Sequence, residues 1–303
     1  MSEYLAVLYI LIAFLFVSIM SALGKAMGET SPGLLVFFQN SVALLVFTPW
    51  FLRNGISALK TKRLGLHLLR ATSGLLSQGF MFEALKSLPL MSAVLLSNSA
   101  PLFIPLIAWT WLKQKSGPNV WLSLIIGFIG VIFILRPGAS TLENPSALVP
   151  LVASILSAFA LLSVNQLSKS ESTEKILFYY FLISTLLTAP YLFISKIHFN
   201  LPHIAFLTGI GLSMAISQLM IILAYRHSSA SQVAPFNYSV VIFSGLLGWI
   251  FWNDHPTLFS LIGVILVSIG GILSTKLSPA SARGHFGWMG HHNIEQLRLE
   301  GSK

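Results

Sequence analysis

The sequence predicts an all-α integral membrane protein of ten transmembrane helices arranged as two inverted five-helix repeats, and three observations predict it. First, 55% of the 303 residues are hydrophobic, only 9% are charged and the mean hydropathy is +0.80. That is more apolar surface than one soluble core of this length can hide. Second, the apolar residues fall into runs of about 20, the length that crosses a bilayer as a helix. Third, the chain repeats itself. The stretch Phe82 to Trp111 returns in the second half as Ala224 to Trp252, with Arg226 at the place of Lys86, Asn237-Tyr238-Ser239 at the place of Ser97-Asn98-Ser99, and Trp249 at the place of Trp109. Phe37-Phe38 through Thr48-Pro49-Trp50 aligns without gaps to Phe178-Tyr179 through Ala189-Pro190-Tyr191. Each copy then holds five spans, and because five is odd the second copy enters the membrane upside down relative to the first.

The first run, Tyr4 to Ala26, follows no basic n-region and is too long for a signal-peptide core, so it reads as a retained span. Ser31-Pro32-Gly33 leads into the second, Leu34 to Leu52, which Arg53-Asn54-Gly55 ends. The third, Leu66 to Leu85, places Arg70, Gly74, Ser77, Gln78 and Met81 on one helical face. After Leu88-Pro89 comes the fourth, Leu90 to Leu112, interrupted midway by Ser97-Asn98-Ser99 and Pro101. Ser116-Gly117-Pro118 precedes the fifth, Val120 to Leu135, and Arg136-Pro137-Gly138 with Asn144-Pro145 separates it from the sixth, Ser146 to Leu167. The seventh and eighth are Ile176 to Ile194 and Ile204 to Tyr225; the ninth, Ser231 to Trp252, repeats the fourth. Asn253-Asp254-His255-Pro256 divides it from the tenth, Leu258 to Thr275. The expected domains are residues 4–136 and 145–276, each a five-helix repeat, with a polar cytoplasmic tail over 277–303 expected to be disordered. The connections leave no room for a separate soluble domain.

The net charge of +9 would point to nucleic acid in a soluble chain. Here the basic residues sit between the apolar runs, where retention on the cytoplasmic side accounts for them. With the N-terminus inside, the inner loops and tail hold Arg53, Lys60, Lys62, Arg63, Lys113, Lys115, Lys169, Lys175, Arg226 and the tail cations, leaving Lys25, Lys86, Arg136 and Lys196 outside. Both termini are therefore expected in the cytoplasm. Short loops favour a bacterial inner membrane. With no cysteine, disulfides, thiolate metal sites and cysteine nucleophiles are excluded. There is no Gly-x-Ser-x-Gly, His-Glu-x-x-His or Walker loop, so neither an enzyme nor an ATP-driven pump is expected, and no cofactor.

Inverted repeats with a site near the midplane are the recurring architecture of secondary transporters. The residues also carry a resemblance. His67-Leu68-Leu69-Arg70, Ala84-Leu85-Lys86-Ser87-Leu88-Pro89, Leu95 through Phe103, Ala224-Tyr225-Arg226 and Val233-Ala234-Pro235-Phe236-Asn237-Tyr238 resemble the EamA repeats of the drug/metabolite transporter superfamily. The resemblance spans about residues 4–276 and implies a ten-span carrier of small metabolites, commonly an exporter, sometimes an uptake carrier for compounds such as S-adenosylmethionine. Two positions depart from the pattern: Gln39 stands where related sequences often have Arg, and Lys113-Gln114-Lys115 where they have an acid, which the second copy keeps as Asp254.

Mid-span polar groups are pathway candidates because they are costly in hydrocarbon unless paired or hydrated. Gln78, Asn98, Gln218, Asn237 and Tyr238 are the expected substrate-binding set, since the duplication supplies Gln78 with Gln218 and Ser97-Asn98-Ser99 with Asn237-Tyr238-Ser239. Interhelical packing is the competing reading. Pro101 and Pro105 are expected to open irregular backbone beside this site. Arg70 either snorkels to the cytoplasmic interface or contacts an anionic substrate. Glu83 with Lys86 reads as an interfacial ion pair. Gly24-xxx-Gly28, Ser154-xxx-Ala158 and Gly245-xx-Gly248 read as close helix contacts, and His291-His292 lacks further metal ligands. The expected partners are a small-molecule substrate and the lipid bilayer, with a homodimer left open and no nucleic acid. The alternatives are a non-transporting intramembrane enzyme or scaffold and, among transporters, uptake of the S-adenosylmethionine type rather than export.

Overall fold

The computed structural model describes residues 2–55, 59–111, 113, 117–135, 148–167, 170–194, 201–227, 236 and 238–277. The described residues form helices throughout: α1 Ser2–Ala26, α2 Pro32–Asn54, α3 Leu64–Ser87, α4 Leu90–Ser97, α5 Ala100–Trp111 and α6 Pro118–Leu135 in the first half. The second half has α7 Val149–Leu167, α8 Thr173–Thr188, α9 Tyr191–Ile194, α10 Leu201–His227, α11 Ser239–Trp252 and α12 Leu258–Leu277. These are the ten expected spans, the fourth divided into α4 and α5 and the seventh into α8 and α9. Five spans are long and apolar enough to cross a membrane, and α6, α7, α11 and α12 contribute shorter apolar helices. The third span, α3, falls outside both groups because it carries Arg70, Gln78, Glu83 and several serines along its length.

Each division has a local cause. In the fourth span the helix stops at Ser97, one turn before Pro101, whose ring nitrogen has no proton to give the Ser97 carbonyl. Pro101 itself sits in the first turn of α5, where no donor is needed, and Pro105 lies inside α5 without ending it. The seventh span breaks at Ala189–Pro190, whereas its counterpart Pro49 stays within α2. The α-helix described in the ninth span begins at Ser239; the expected start at Ser231 falls among residues 228–235 and 237, which lie outside the described set.

Packing shows the two-fold relation directly. α1 packs on α10 and α11, and correspondingly α7 packs on α3 and on α4–α5; α2 packs on α10 as α8 does on α3. α2 with α8, α4 with α11, and α6 with α12 pair across the relation itself. Exchanging the halves therefore reproduces the contact pattern, and most of these contacts join one half to the other. The fourth span is the most enclosed, with 67% of its apolar window buried against 33% to 39% in the other four.

The α6–α12 pair is the tightest crossing. A Cβ on Gly130 would come within 2.7 Å of the Val267 backbone nitrogen and 2.8 Å of the Gly263 carbonyl, and one on Gly270 within 2.6 Å of the Gly127 backbone and 2.7 Å of the Ser123 carbonyl. Gly130 and Gly270 occupy matching places in the two copies. Small residues that let backbones touch are the main means by which helices associate where lipid supplies no hydrophobic drive.

Candidate functional site

Asn98 occupies the break between α4 and α5. Its amide donates to the Val94 carbonyl at 3.0 Å and its side-chain Nδ2 to the same oxygen at 2.8 Å, which caps α4. Ser99 Oγ donates to Leu95 O, and the buried Ser97 hydroxyl has no partner. Gln78 on α3 is half-buried, with Oε1 enclosed and unpartnered. One residue earlier, Ser77 Oγ donates to the Ala153 carbonyl of α7 at 2.7 Å, pinning α3 to the other half. Among the described residues Gln218 on α10 reaches the sulfur of Met214 on its own helix, at 4.0 Å. Tyr238 turns its enclosed, unpartnered hydroxyl onto Gly271 of α12. Asn237 lies outside the described residues.

Arg70 makes a contact inside the bundle: its guanidinium carbon lies 4.2 Å from the centroid of Tyr180, a ring on α8 that is 2% exposed. Glu83 and Lys86 form the expected pair at 3.0 Å, one half exposed and the other nearly a third. Polar groups outside the expected substrate-binding set also lie at depth. Gln39 is fully buried with both side-chain atoms unpartnered, Asn40 is buried with a free Oδ1, and the hydroxyls of Ser184 and Thr185 on α8 are enclosed without partners. Two adjacent amides in the middle of the second span were the available signal for Gln39 and Asn40.

Two polar clamps close the opposite ends of the bundle, each joining the two halves, about 35 Å apart along α3. At one end Lys25 Nζ donates to the Leu88 carbonyl at 2.8 Å and pairs with Asp254 at 3.1 Å, while the same Asp254 oxygen accepts from the Leu90 amide. Asn253, in the left-handed conformation at φ 55°, ends α11 and aims Asp254 at this junction; asparagine tolerates that geometry better than most residues. The Trp252 ring lies 5.6 Å from the ammonium. At the other end Thr61 Oγ1 donates to Glu171 at 2.6 Å, Lys175 bonds both Glu171 at 2.7 Å and the Lys60 carbonyl at 2.9 Å, and Tyr179 OH donates to Leu59 O at 2.7 Å. Arg63 adds a bond to the Gln166 carbonyl, and His67 lies against Tyr179 with ring centroids 4.4 Å apart.

Burial pushes the Glu171 carboxyl up, but hydrogen bonds from Lys175 and Thr61 and the nearby positive charge outweigh it and hold it below the usual glutamate range. A lowered native pKa gives stabilisation that is complete above the unfolded value and is lost as pH falls through the native one. The Glu171 clamp is therefore expected to survive acidification through the ordinary glutamate range and to open only below it. Hydrogen exchange of the 59–63 backbone as a function of pH checks this; exchange that accelerates already above that range contradicts it.

A cavity of about 350 Å³ opens at the Lys25 end, bounded by Met27, Gly28, Glu29, Thr30, His203 and Phe206, well removed from the mid-depth amides. No group of three or more His, Asp or Glu side chains suited to a metal occurs among the described residues.

A model described as the EamA-like transporter family matches residues 4–136 and again 144–276. The chain belongs to the EamA-like transporter family. It is thus an integral membrane protein of the drug/metabolite transporter type. The pseudopaline exporter CntI of Pseudomonas aeruginosa is 27% identical over 271 residues, 89% of this chain and 95% of that one. The riboflavin transporter of Vibrio cholerae is 27% identical, covering 81% and 83% of the two chains. The S-adenosylmethionine uptake transporter of Rickettsia bellii is 26% identical, covering 76% and 78%. A crystal structure with 18% sequence identity superposes with a TM-score of 0.60 over 90% of this EamA chain and 97% of its own, which bears on the fold.

Proposed function

We propose that this protein moves a small polar or amphipathic metabolite across a bacterial inner membrane by alternating access between residues 4–136 and 145–276, without ATP hydrolysis and without acting as an enzyme. The observation that carries the reading is the pair of clamps. Each ties one half to the other at one end of a two-fold bundle, and polar groups without partners lie between them. Rocking one half against the other opens one clamp while the second holds, which is how inverted-repeat carriers expose a midplane site to each side in turn. The Thr61 end and both termini are assigned to the cytoplasm, and the Lys25 end to the outside, from the excess of lysine and arginine at the former. A reporter fused after Lys303 is expected to read as cytoplasmic, and a periplasmic signal there would reverse the assignment.

The substrate site is placed between α3, α4, α10 and α11, with Gln78, Asn98 and Gln218 as polar contacts and Asn237 and Tyr238 completing it from the ninth span. Substituting Asn98 or Gln78 by Ala is expected to raise the half-saturation constant about tenfold, the worth of one good hydrogen bond to a ligand, with protein still folded in the membrane. Wild-type half-saturation in both variants would make these residues packing contacts. The functional experiment is reconstitution into liposomes with labelled amino acids, nucleosides, riboflavin and S-adenosylmethionine, loaded on either side. Relatives include an exporter and uptake carriers, so both directions enter the screen. Flux driven by an ion or exchange gradient supports the proposal; its absence for every compound under every gradient favours a non-transporting membrane protein.

A further inference from the structure

We propose that Arg70 and Tyr180 form the binding site for a carboxylate carried by the transported molecule; the inference rests on the transport reading above and adds the class of its substrate. Arg70 lies about 9 Å along α3 from Leu64, well inside the helix. Its guanidinium carbon stands over the Tyr180 ring, Nε is enclosed without a partner, and no hydrogen bond or ion pair joins the group to any described residue. Room for this pose comes from Gly74, where a Cβ would stand 2.6 Å from an Arg70 terminal nitrogen and 2.8 Å from the Tyr180 ring.

Arg70 is half-buried with its Nε enclosed; a cation so placed is stabilised by a countercharge, and none lies against it among the described residues. Glu171 is committed to Thr61 and Lys175, and Glu83 pairs with Lys86 near the opposite end of α3. A cation–π contact offsets only part of the desolvation cost of an arginine in this setting. The planar fork of donors suits a carboxylate bound through both oxygens. One guanidinium balances one negative charge, which favours a carboxylate over a doubly charged phosphate. Access is built in as well. The clamp residues His67 and Tyr179 lie on the same two helices, at or near the turn separating Arg70 and Tyr180 from the Thr61 end, so opening that clamp uncovers the arginine.

The test uses the purified full-length chain in lipid nanodiscs and matched acid and amide probes of increasing size: benzoate with benzamide, indole-3-acetate with indole-3-acetamide, hippurate with hippuramide. Thermal unfolding is expected to shift upward with at least one acid and not with its amide. That selectivity should weaken about tenfold or more in Arg70→Gln, as expected for loss of a charge-assisted hydrogen bond, and persist in an exposed control, Arg53→Gln. A second readout needs no variant: modification of Arg70 by phenylglyoxal, followed by peptide mass mapping of the wild type, should be slowed by the acid and not by the amide. No acid preference in either readout overturns the proposal, as does a preference unchanged in Arg70→Gln. Binding is read without flux. Arg70-dependent binding with no transport would remove the transport reading and leave the site, while carboxylate transport undiminished in Arg70→Gln would remove the site and leave the transport reading.

Discussion

Leucine in place of Gly130 is expected to leave little or no folded protein in the membrane. The new side chain would have to occupy space held by the Val267 amide, the Gly263 carbonyl and the Leu266 Cβ. Backbone cannot rotate aside as a flexible side chain can, so the helices must separate. Overpacking costs roughly 1 to 3 kcal/mol where side chains can shift, and more where they cannot. Because Gly270 makes the matching contact with Gly127 and Ser123, Gly270→Leu should be equally damaging. Gly65→Leu, at a position with open space around it, should be tolerated. Size-exclusion profiles of the three detergent-extracted variants make the comparison, and monodisperse Gly130→Leu protein at wild-type yield would show that the α6–α12 crossing is dispensable.

Asp254→Ala is expected to reduce transport more than tenfold while the protein still folds. One carboxylate oxygen accepts from both Lys25 and the Leu90 amide, so its loss removes both of these hydrogen bonds between the halves. The side chains are only 13% and 23% exposed, which places the pair above the small worth of a solvent-exposed salt bridge. Removing one partner also leaves an ammonium half-buried without its countercharge. The conformational equilibrium should shift toward states open at the Lys25 end, since a change confined to one clamp acts through its differential contribution to the two states. Initial rates in liposomes and labelling of a cysteine introduced beside Leu88 measure the two effects. Wild-type flux in Asp254→Ala would reduce the junction to a passive contact.

The spans were legible because apolar runs of bilayer length leave little choice, and the break in the fourth span was legible from Ser97-Asn98-Ser99 and Pro101. Pro190 was less so. It ends α8 while its counterpart Pro49 continues α2, and the identical residue in matching surroundings gives no local hint of which will happen. The glycines of the α6–α12 crossing, Gly127 and Gly130 on one helix and Gly263 and Gly270 on the other, were missed although Gly127-xx-Gly130 has the spacing of Gly245-xx-Gly248, because the complementary glycines lie on a helix far away in sequence. Lys25 read in sequence only as a charge on the outer side and Asp254 as an acid kept by the second copy, while Glu171 drew no reading. Their partners come from the other half of the chain, 229 residues away for Lys25 with Asp254 and 110 for Thr61 with Glu171, so no local pattern could join them. The repeats align Tyr238 with Asn98, but alignment says nothing of which way a ring turns, and that its hydroxyl lies beside Gly271 comes from the fold.

Distances across the two ends of the bundle test alternating access most directly. The chain has no native cysteine, so spin labels can be placed in pairs without a background to remove: Lys62→Cys with Ser170→Cys at one end, and Thr30→Cys with His255→Cys at the other. Double electron–electron resonance on the protein in lipid should resolve two populations at each end, and a transported compound or an imposed ion gradient should shorten one distance while lengthening the other. A single unchanged distance at both ends under every condition, or both ends widening together, would contradict a carrier whose halves rock about a closed centre.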